Sequence, residues 1–253
     1  MRIASLSPAA TEILFAIGCG SEIVCTDQFS NFPEEAKSIP KLRGHMEVKS
    51  EDLRRFSPEL VLTGTAVQTG VSERLKKEGF AVIHQDPRSI EQIYEAIRIQ
   101  GTLTSRSSEA ESIVLTMQQG FNAVKKKAQL LPSRPRVYVE EWHQPPMASG
   151  NWVPEVVRIA GAEPFPIAAG ELSREVTLDE VRAFDPALIV ISWCGAGSLA
   201  DRELLLKRDG WDVLTAVQEK RVRVLDDSLF NRPGPRLVEG AQRVFGWVFE
   251  MLH

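Results

Sequence analysis

The sequence has few of the side chains from which disulfides and metal sites are built. It contains three cysteines (Cys19, Cys25 and Cys194) and four histidines in 253 residues. Neither set has the spacing of a disulfide framework or of a zinc site. We therefore expect no metal site and no cofactor, and we interpret the cysteines as small hydrophobic residues of the interior.

Clustered positive charge is also scarce. The formal net charge is -4, and the densest basic run is Lys125–Lys127, which falls on the surface of a predicted helix. Because nucleic-acid-binding proteins neutralise phosphates with grouped lysines and arginines, we expect no nucleic-acid partner. The hydrophobic fraction of 43% is enough for one sizeable core or two smaller ones.

Long apolar runs are missing as well. No segment approaches the roughly 18 consecutive apolar residues of a membrane-spanning helix. Met1–Leu6 leads directly into a predicted strand and lacks the basic and apolar regions of an export signal. Two interpretations stay open, a cytoplasmic protein and an exported protein that has been cut to its mature domain.

The motifs of common enzyme classes are absent. The sequence has no Walker loop, no G-x-S-x-G, no H-E-x-x-H and no C-x-x-C. We therefore expect a protein that is not an enzyme and has no catalytic residues.

An internal repeat gives the clearest sign of organisation. Residues 50–65 and 178–193 share a short helix, a proline and an aliphatic strand, with these pairs matched: Arg54 and Arg182, Phe56 and Phe184, Pro58 and Pro186. Proline disfavours helical backbone in the residue before it, so Ser57 and Asp185 are expected to close their helices. The continuous aliphatic runs that follow are typical of strands covered on both faces.

The segments around the repeat follow the same order in both halves. Each half opens with a β-prone run, 2–6 or 136–140, and after the matched strand comes a charged helix and then another strand. Alternating strands and helices predict parallel sheets. The sequence therefore predicts two α/β lobes with parallel-type sheets.

A long helix is predicted between the halves. Ser107–Gln129 has no proline, and Ile113, Met117 and Phe121 recur at four-residue spacing on one face. We predict an N-terminal lobe at 1–105, a bridging helix at 106–131 and a C-terminal lobe at 132–253. The alternative is that this helix packs on one lobe only.

Some residues at strand ends are candidates for a binding site. Ser7 and Pro8 follow the first strand, at the edge where open α/β sheets bind ligands, although the pair equally suits the start of a helix. Trp142, Trp152 and Trp193 lie at strand ends or in loops. Such rings either line a cleft that suits a flat, bulky ligand or pack inside a lobe.

Two acidic residues occupy related places in the two halves. Glu73 and Glu203 each lie near the start of the charged helix after the matched strand. Either the helix dipole accounts for them, or they are paired docking points for arginines of a partner.

Taken together, these segments resemble the helical-hinge class of solute-binding proteins of ABC importers. The opening R-I-A-S-L-S-P-A-A-T-E-I-L-F-A-I-G is similar to the first strand, loop and helix of that class, and the resemblance continues over essentially the whole chain. It includes the segments 27–33, 57–62, 209–226 and 231–240. The cobalamin-binding branch is the most similar, through 141–142, 150–155 and 173–176.

The resemblance implies a function and a set of residues. It implies an extracytoplasmic, monomeric receptor that holds a cobalamin-like compound between its lobes and delivers it to an ABC permease dimer. The implied ligand-binding residues are Ser7, Pro8, Phe29, Phe32, Trp142, Trp152, Trp193 and Arg236. Glu73 and Glu203 are implied to dock on the permease. The chain departs from the cobalamin branch at Thr65–Val67, where those receptors can carry an aromatic residue.

Other functions stay open at this point. Within the class, the ligand is alternatively haem or a ferric siderophore, and the loop residues His45 and His143 are possible metal ligands to such a group. Outside the class, a cytoplasmic chelatase-like enzyme needs a convergent histidine and acid, which the sequence does not suggest. A cytoplasmic corrinoid sensor that has kept the receptor fold is the third alternative.

Overall fold

The computed structural model describes residues 1–253 and contains two compact units. The first unit comprises Met1–Pro87 and Glu91–Thr116, and the second comprises Arg88–Ile90 and Met117–His253. Helix α5 (Ser107–Ala128) begins in the first unit and ends in the second, one residue short of the predicted end. None of the helices combines the length and apolar character needed to cross a bilayer.

The first unit contains a five-stranded sheet with the order β3-β2-β1-β4-β5, and all its pairs are parallel. The strands are β1 (Ile3–Ser5), β2 (Ile23–Asp27), β3 (Lys41–Leu42), β4 (Leu60–Gly64) and β5 (Val82–Gln85). The helices are α1 (Pro8–Ala16), α2 (Ser50–Arg54), α3 (Thr69–Lys77) and α4 (Ile90–Leu103). Ala4, Val61 and Leu75 belong to the buried hydrophobic core of this unit.

The second unit contains a six-stranded sheet with the order β11-β10-β6-β7-β9, and β8 pairs with β6. The strands are β6 (Arg136–His143), β7 (Pro146–Ala148), β8 (Glu163–Pro164), β9 (Arg174–Glu175), β10 (Leu188–Ile191) and β11 (Val222–Val224). The helices are α6 (Val153–Ile159), α7 (Leu178–Phe184), α8 (Arg202–Leu206), α9 (Thr215–Gln218) and α10 (Leu237–Leu252).

The second sheet is mixed, which corrects the prediction that both sheets are of parallel type. Strands β6 and β7 run antiparallel, as do β7 and β9. Only Gln144 and Pro145 separate β6 from β7. A connection of two residues is too short to cross over to a parallel neighbour, so the shortness of this connection requires β6 and β7 to run antiparallel.

The repeat is confirmed as a matched helix and strand in each unit. Strand β4 lies between β1 and β5, and β10 lies between β6 and β11 in the corresponding places. All residues of β4 and β10 are buried, as their unbroken aliphatic runs predict. Ser57 and Asp185 both adopt left-handed backbone, with φ of 41° and 44°. Asp185 is the C-cap of α7, as the sequence predicts, whereas α2 already ends at Arg54, three residues before Ser57.

Candidate functional site

In the first unit, loops leave the carboxyl ends of five parallel strands. This is the edge at which open α/β sheets bind ligands. Ser7 is the N-cap residue of α1 and Pro8 is its first residue, as predicted, but the Ser7 side chain makes no capping hydrogen bond. Ser7 is only 5% exposed, and a Cβ added to Gly64 would lie 2.8 Å from its Oγ. The loop after β1 is therefore packed tightly against β4.

A chain of hydroxyl groups fixes the loop after β2. The Oγ of Ser5 lies 2.8 Å from the Oγ1 of Thr11, which lies 2.9 Å from the Oγ of Ser30. Ser30 donates to the carboxylate of Asp27 at 2.6 Å, and the backbone N–H of Phe29 donates to the same carboxylate at 2.6 Å. All four polar side chains are buried. The network holds the backbone of Phe29 in place while its ring stays 43% exposed.

Gln68 connects three loops of the same edge, and sequence analysis missed it. Its Oε1 accepts the N–H of Gly64 at 2.8 Å, and its Nε2 donates to the carbonyl oxygens of Leu6 at 2.7 Å and His45 at 3.0 Å. The His45 ring meets the Phe29 ring edge to face, with the centroids 5.5 Å apart. Phe32, in the same loop as Phe29, is 42% exposed. This edge therefore presents aromatic rings on loops that buried hydrogen bonds hold in place.

We expect His45 to make stability fall as the pH falls. Burial lowers the pKa of His45 below its ordinary 6.5, although the carboxylate of Asp27 offsets part of the effect. His45 therefore binds a proton at a higher pH in the unfolded chain than in the folded protein. The free energy of unfolding is expected to decrease as the pH falls through 6.5 toward the folded pKa. Urea unfolding at pH 7.5 and 5.5 should show a smaller loss for His45→Asn than for the unmodified protein. Equal losses would contradict this account.

In the second unit, a row of mutually tilted aromatic rings extends from the carboxyl end of β6. The rings of Trp142 and His143 have centroids 4.9 Å apart, and those of His143 and Trp193 have centroids 4.8 Å apart. Trp142 is 38% exposed, whereas Trp193 is 3% exposed. The three side chains form an aromatic ladder that leads from the surface into the core. Of the three tryptophans singled out in the sequence, Trp142 is the exposed one.

A buried ion pair lies at the base of this ladder. Arg208 donates to both carboxylate oxygens of Glu140, at 2.8 and 2.9 Å. The same carboxylate accepts the indole N–H of Trp193 at 3.0 Å and the hydroxyl of Tyr138 at 3.1 Å. Burial raises the pKa of Glu140, and hydrogen bonding and charge from Arg208 offset part of that rise. Arg208 also lies over the Trp211 ring, 4.2 Å from its centroid. Sequence patterns do not indicate this pair, because its members are 68 positions apart.

Asp227 organises the loop that follows β10. Its carboxylate accepts the backbone N–H of Gly195 at 2.9 Å and of Gly197 at 2.8 Å. Asn231 donates to the carbonyl of Ser192 at 2.8 Å and to the thiol of Cys194 at 3.2 Å. Cys19 and Cys25 are buried, but Cys194 is exposed in this loop, which corrects its interpretation as an interior residue.

Replacing Asp227 with alanine should lower the free energy of unfolding by about 1–3 kcal/mol, because two backbone N–H groups lose their carboxylate acceptor. The measurement is urea unfolding followed by circular dichroism. Asp212→Ala, at an exposed position of the same unit, is the matched control and should change stability by less than about 0.5 kcal/mol. A similar small effect for Asp227→Ala would show that the loop does not depend on this carboxylate.

The structure places two further predicted ligand-binding residues in or near the core. Trp152 is 4% exposed, and its indole N–H donates to the carbonyl of Phe230 at 2.7 Å. Its ring is thus part of the interior of the second unit. Arg236 is partly buried at the N-cap position of α10.

The two predicted docking acids are both exposed on helices. Glu203 is the second residue of α8, and its carboxylate lies 3.5 Å from Lys207. Glu73 is the fifth residue of α3. The helix-dipole interpretation therefore fits Glu203 and does not fit Glu73, which lies beyond the first turn. Elsewhere, no group of three histidine, cysteine or acidic side chains is arranged to hold a metal ion.

Comparison with known proteins yields consistent matches. The sequence profile of the family described as periplasmic binding protein matches residues 3–229. An uncharacterised ABC transporter substrate-binding lipoprotein of Bacillus subtilis is 26% identical over 254 residues, which cover 96% of this chain and 78% of that protein. A vitamin B12-binding protein of Vibrio cholerae is 23% identical over 248 residues, which cover 96% and 87%.

A solved structure matches the whole chain. The periplasmic heme-binding protein from Pseudomonas aeruginosa superimposes with a TM-score of 0.86 at 21% identity, covering 100% of this chain and 94% of that one. The likeness confirms the predicted fold class of two α/β lobes.

Proposed function

The chain belongs to the periplasmic binding protein family, and we propose that it is the substrate-binding component of an ABC importer that reversibly captures a cobalamin-like corrinoid. It works without covalent chemistry and delivers the ligand to a permease dimer. An extracytoplasmic location is supported by the relatives, which include a lipoprotein and a periplasmic protein.

The observation that carries the proposal is the set of exposed aromatic rings at strand carboxyl ends. Phe29 and Phe32 supply them in the first unit and Trp142 supplies one in the second. Aromatic faces and edges suit a flat or bulky ligand such as a macrocycle. Buried networks fix the loop of Phe29 and the end of strand β6 that carries Trp142, so that binding orders few side chains and loses little conformational entropy.

The remaining predicted ligand-binding residues differ in how far they are exposed. Ser7, Trp152 and Trp193 are buried, so they have almost no surface to offer to a ligand. Pro8 and Arg236 are partly exposed at the starts of α1 and α10. We propose that they supply the apolar and charged contacts at the margin of the ligand.

Tryptophan fluorescence tests the proposal. Cyanocobalamin added to the purified protein should quench the emission saturably, because Trp142 is the most exposed of the tryptophans predicted to line the site. Free N-acetyl-tryptophanamide, titrated in parallel, corrects for light that the corrinoid itself absorbs. Emission that follows this control across the full titration would exclude cobalamin as the ligand.

Haem is the second candidate ligand. The imidazoles of His45 and His143 lie at the carboxyl edges described above, and imidazole is a common axial ligand of haem iron. Haemin binding should then shift the Soret absorption, and the double variant His45→Ala with His143→Ala should abolish the shift. Cobalamin remains the leading proposal because the vitamin B12-binding relative aligns over 96% of this chain.

A further inference from the structure

The burial of the aromatic ladder distinguishes the roles of its rings. Trp193 is 3% exposed and therefore has almost no surface to offer to a ligand, whereas Trp142 is 38% exposed. His143 lies between them, with centroid distances of 4.9 and 4.8 Å. The position of the outer ring thus depends on the two rings beneath it and on the hydrogen bond that its indole N–H donates to the Gln144 carbonyl at 3.0 Å.

The middle ring is held by its neighbours. The Nδ1 of His143 is buried and has no hydrogen-bond partner. Its backbone carbonyl, however, accepts a hydrogen bond from Arg208 at 3.1 Å. The orientation of this imidazole therefore depends on the packing of the two indoles and on Arg208.

The Glu140–Arg208 pair connects the two lower rungs. The Glu140 carboxylate accepts the indole N–H of Trp193, and Arg208 binds both that carboxylate and the His143 backbone. Glu140 is fully buried, and the Arg208 side chain is 18% exposed. A bidentate pair of this kind fixes direction as well as distance, because the planar guanidinium matches the plane of the carboxylate.

We propose that Trp142 is the ring that stacks on the ligand, and that Trp193, Glu140 and Arg208 are positioning residues that orient it through His143. This assignment rests on the proposed function and refines it. Preorganising the ladder lowers the entropy that ligand binding must remove. A slight reorientation at its base displaces the outer ring from the ligand.

The test uses Arg208→Lys, which keeps the charge and loses the bidentate geometry. Trp193→Phe is the second variant, since it keeps a ring against His143 and loses the N–H bonded to Glu140. The matched control is Arg136→Lys at the other end of β6, where Arg136 pairs with Asp185 at 3.5 Å and lies over Phe184.

Two readouts are measured on each variant. The first is cyanocobalamin affinity by calorimetry. The second is the 19F spectrum of ligand-free protein labelled with 5-fluorotryptophan, in which each of the five tryptophans gives a resonance that a Trp→Phe variant assigns.

We expect Arg208→Lys to weaken cyanocobalamin binding about tenfold. This is roughly the loss in affinity expected when one well-oriented aromatic contact is removed. The Trp142 and Trp193 resonances should move together, whereas those of Trp152 and Trp247 should stay. Trp193→Phe should also move the Trp142 resonance, and Arg136→Lys should change neither readout.

An unmoved Trp142 resonance in both Arg208→Lys and Trp193→Phe would overturn the assignment, whatever the affinity. Unchanged affinity despite a moved resonance would also overturn it, because the orientation of Trp142 would then not matter to the ligand. If the unmodified protein binds no cobalamin, the proposed function fails by itself. The ligand-free spectra still decide whether the pair positions the ladder.

Discussion

Glu140→Ala is expected to lower the free energy of unfolding by about 3–5 kcal/mol. The substitution leaves the guanidinium of Arg208, whose side chain is 18% exposed, without its carboxylate. It also removes the acceptor for the indole N–H of Trp193 and for the hydroxyl of Tyr138. Because domains are typically stable by about 5–15 kcal/mol, such a loss is a large share of the total.

The measurement is the urea dependence of circular dichroism at pH 7.5. Glu239→Ala provides the control, because Glu239 also pairs with an arginine, Arg243 at 3.4 Å, but both side chains are about half exposed. Exposed pairs of this kind contribute about 0–1 kcal/mol. If the two variants lost the same stability, burial of the Glu140 pair would have no energetic consequence, and our account of the second unit would be wrong.

The double variant Glu73→Ala with Glu203→Ala is expected to reduce cobalamin uptake by cells at least about tenfold, while the affinity of the purified protein stays unchanged. Both carboxylates lie on exposed helix faces, one in each unit. Acids placed in this way can pair with arginines of a permease, and losing a charge pair at such an interface commonly costs tenfold or more.

The uptake assay uses a strain in which this chain is the only receptor supplied, with the permease kept constant. Glu51→Ala with Glu250→Ala is the matched control, since it also removes one exposed acid from each unit. Full uptake by the Glu73 and Glu203 variant would reject these residues as docking points. It would also favour the alternative that the protein is a sensor working without a transporter.

The architecture could be predicted because it depends on short patterns. The proline after Ser57 and the one after Asp185 locally prevent helix from continuing, and the buried aliphatic strands follow at once. The antiparallel hairpin of β6 and β7 was missed, although Gln144 and Pro145 alone connect the strands. The sequence predicts the β-prone run before them only as far as Glu140, whereas β6 extends to His143, so the predicted connection is longer than the real one.

The site could be predicted only in part, because the side chains that hold its loops and rings in place come from distant parts of the sequence. Trp142 is indicated by its residue type and position, and Phe29 only by the resemblance to the family. Gln68 and Arg208 are not indicated, since each acquires its role from partners that are distant in sequence. Whether a tryptophan is exposed, as Trp142 is, or buried, as Trp152 is, depends on the packing of the whole unit.

The most direct test of the central claim is a calorimetric titration of the purified protein with cyanocobalamin, with haemin titrated in parallel. Our account predicts saturable binding of cyanocobalamin with a stoichiometry near one to one. Binding of haemin alone would keep the family and contradict the ligand. The absence of heat with both compounds would contradict the assignment of this chain as a receptor for either macrocycle.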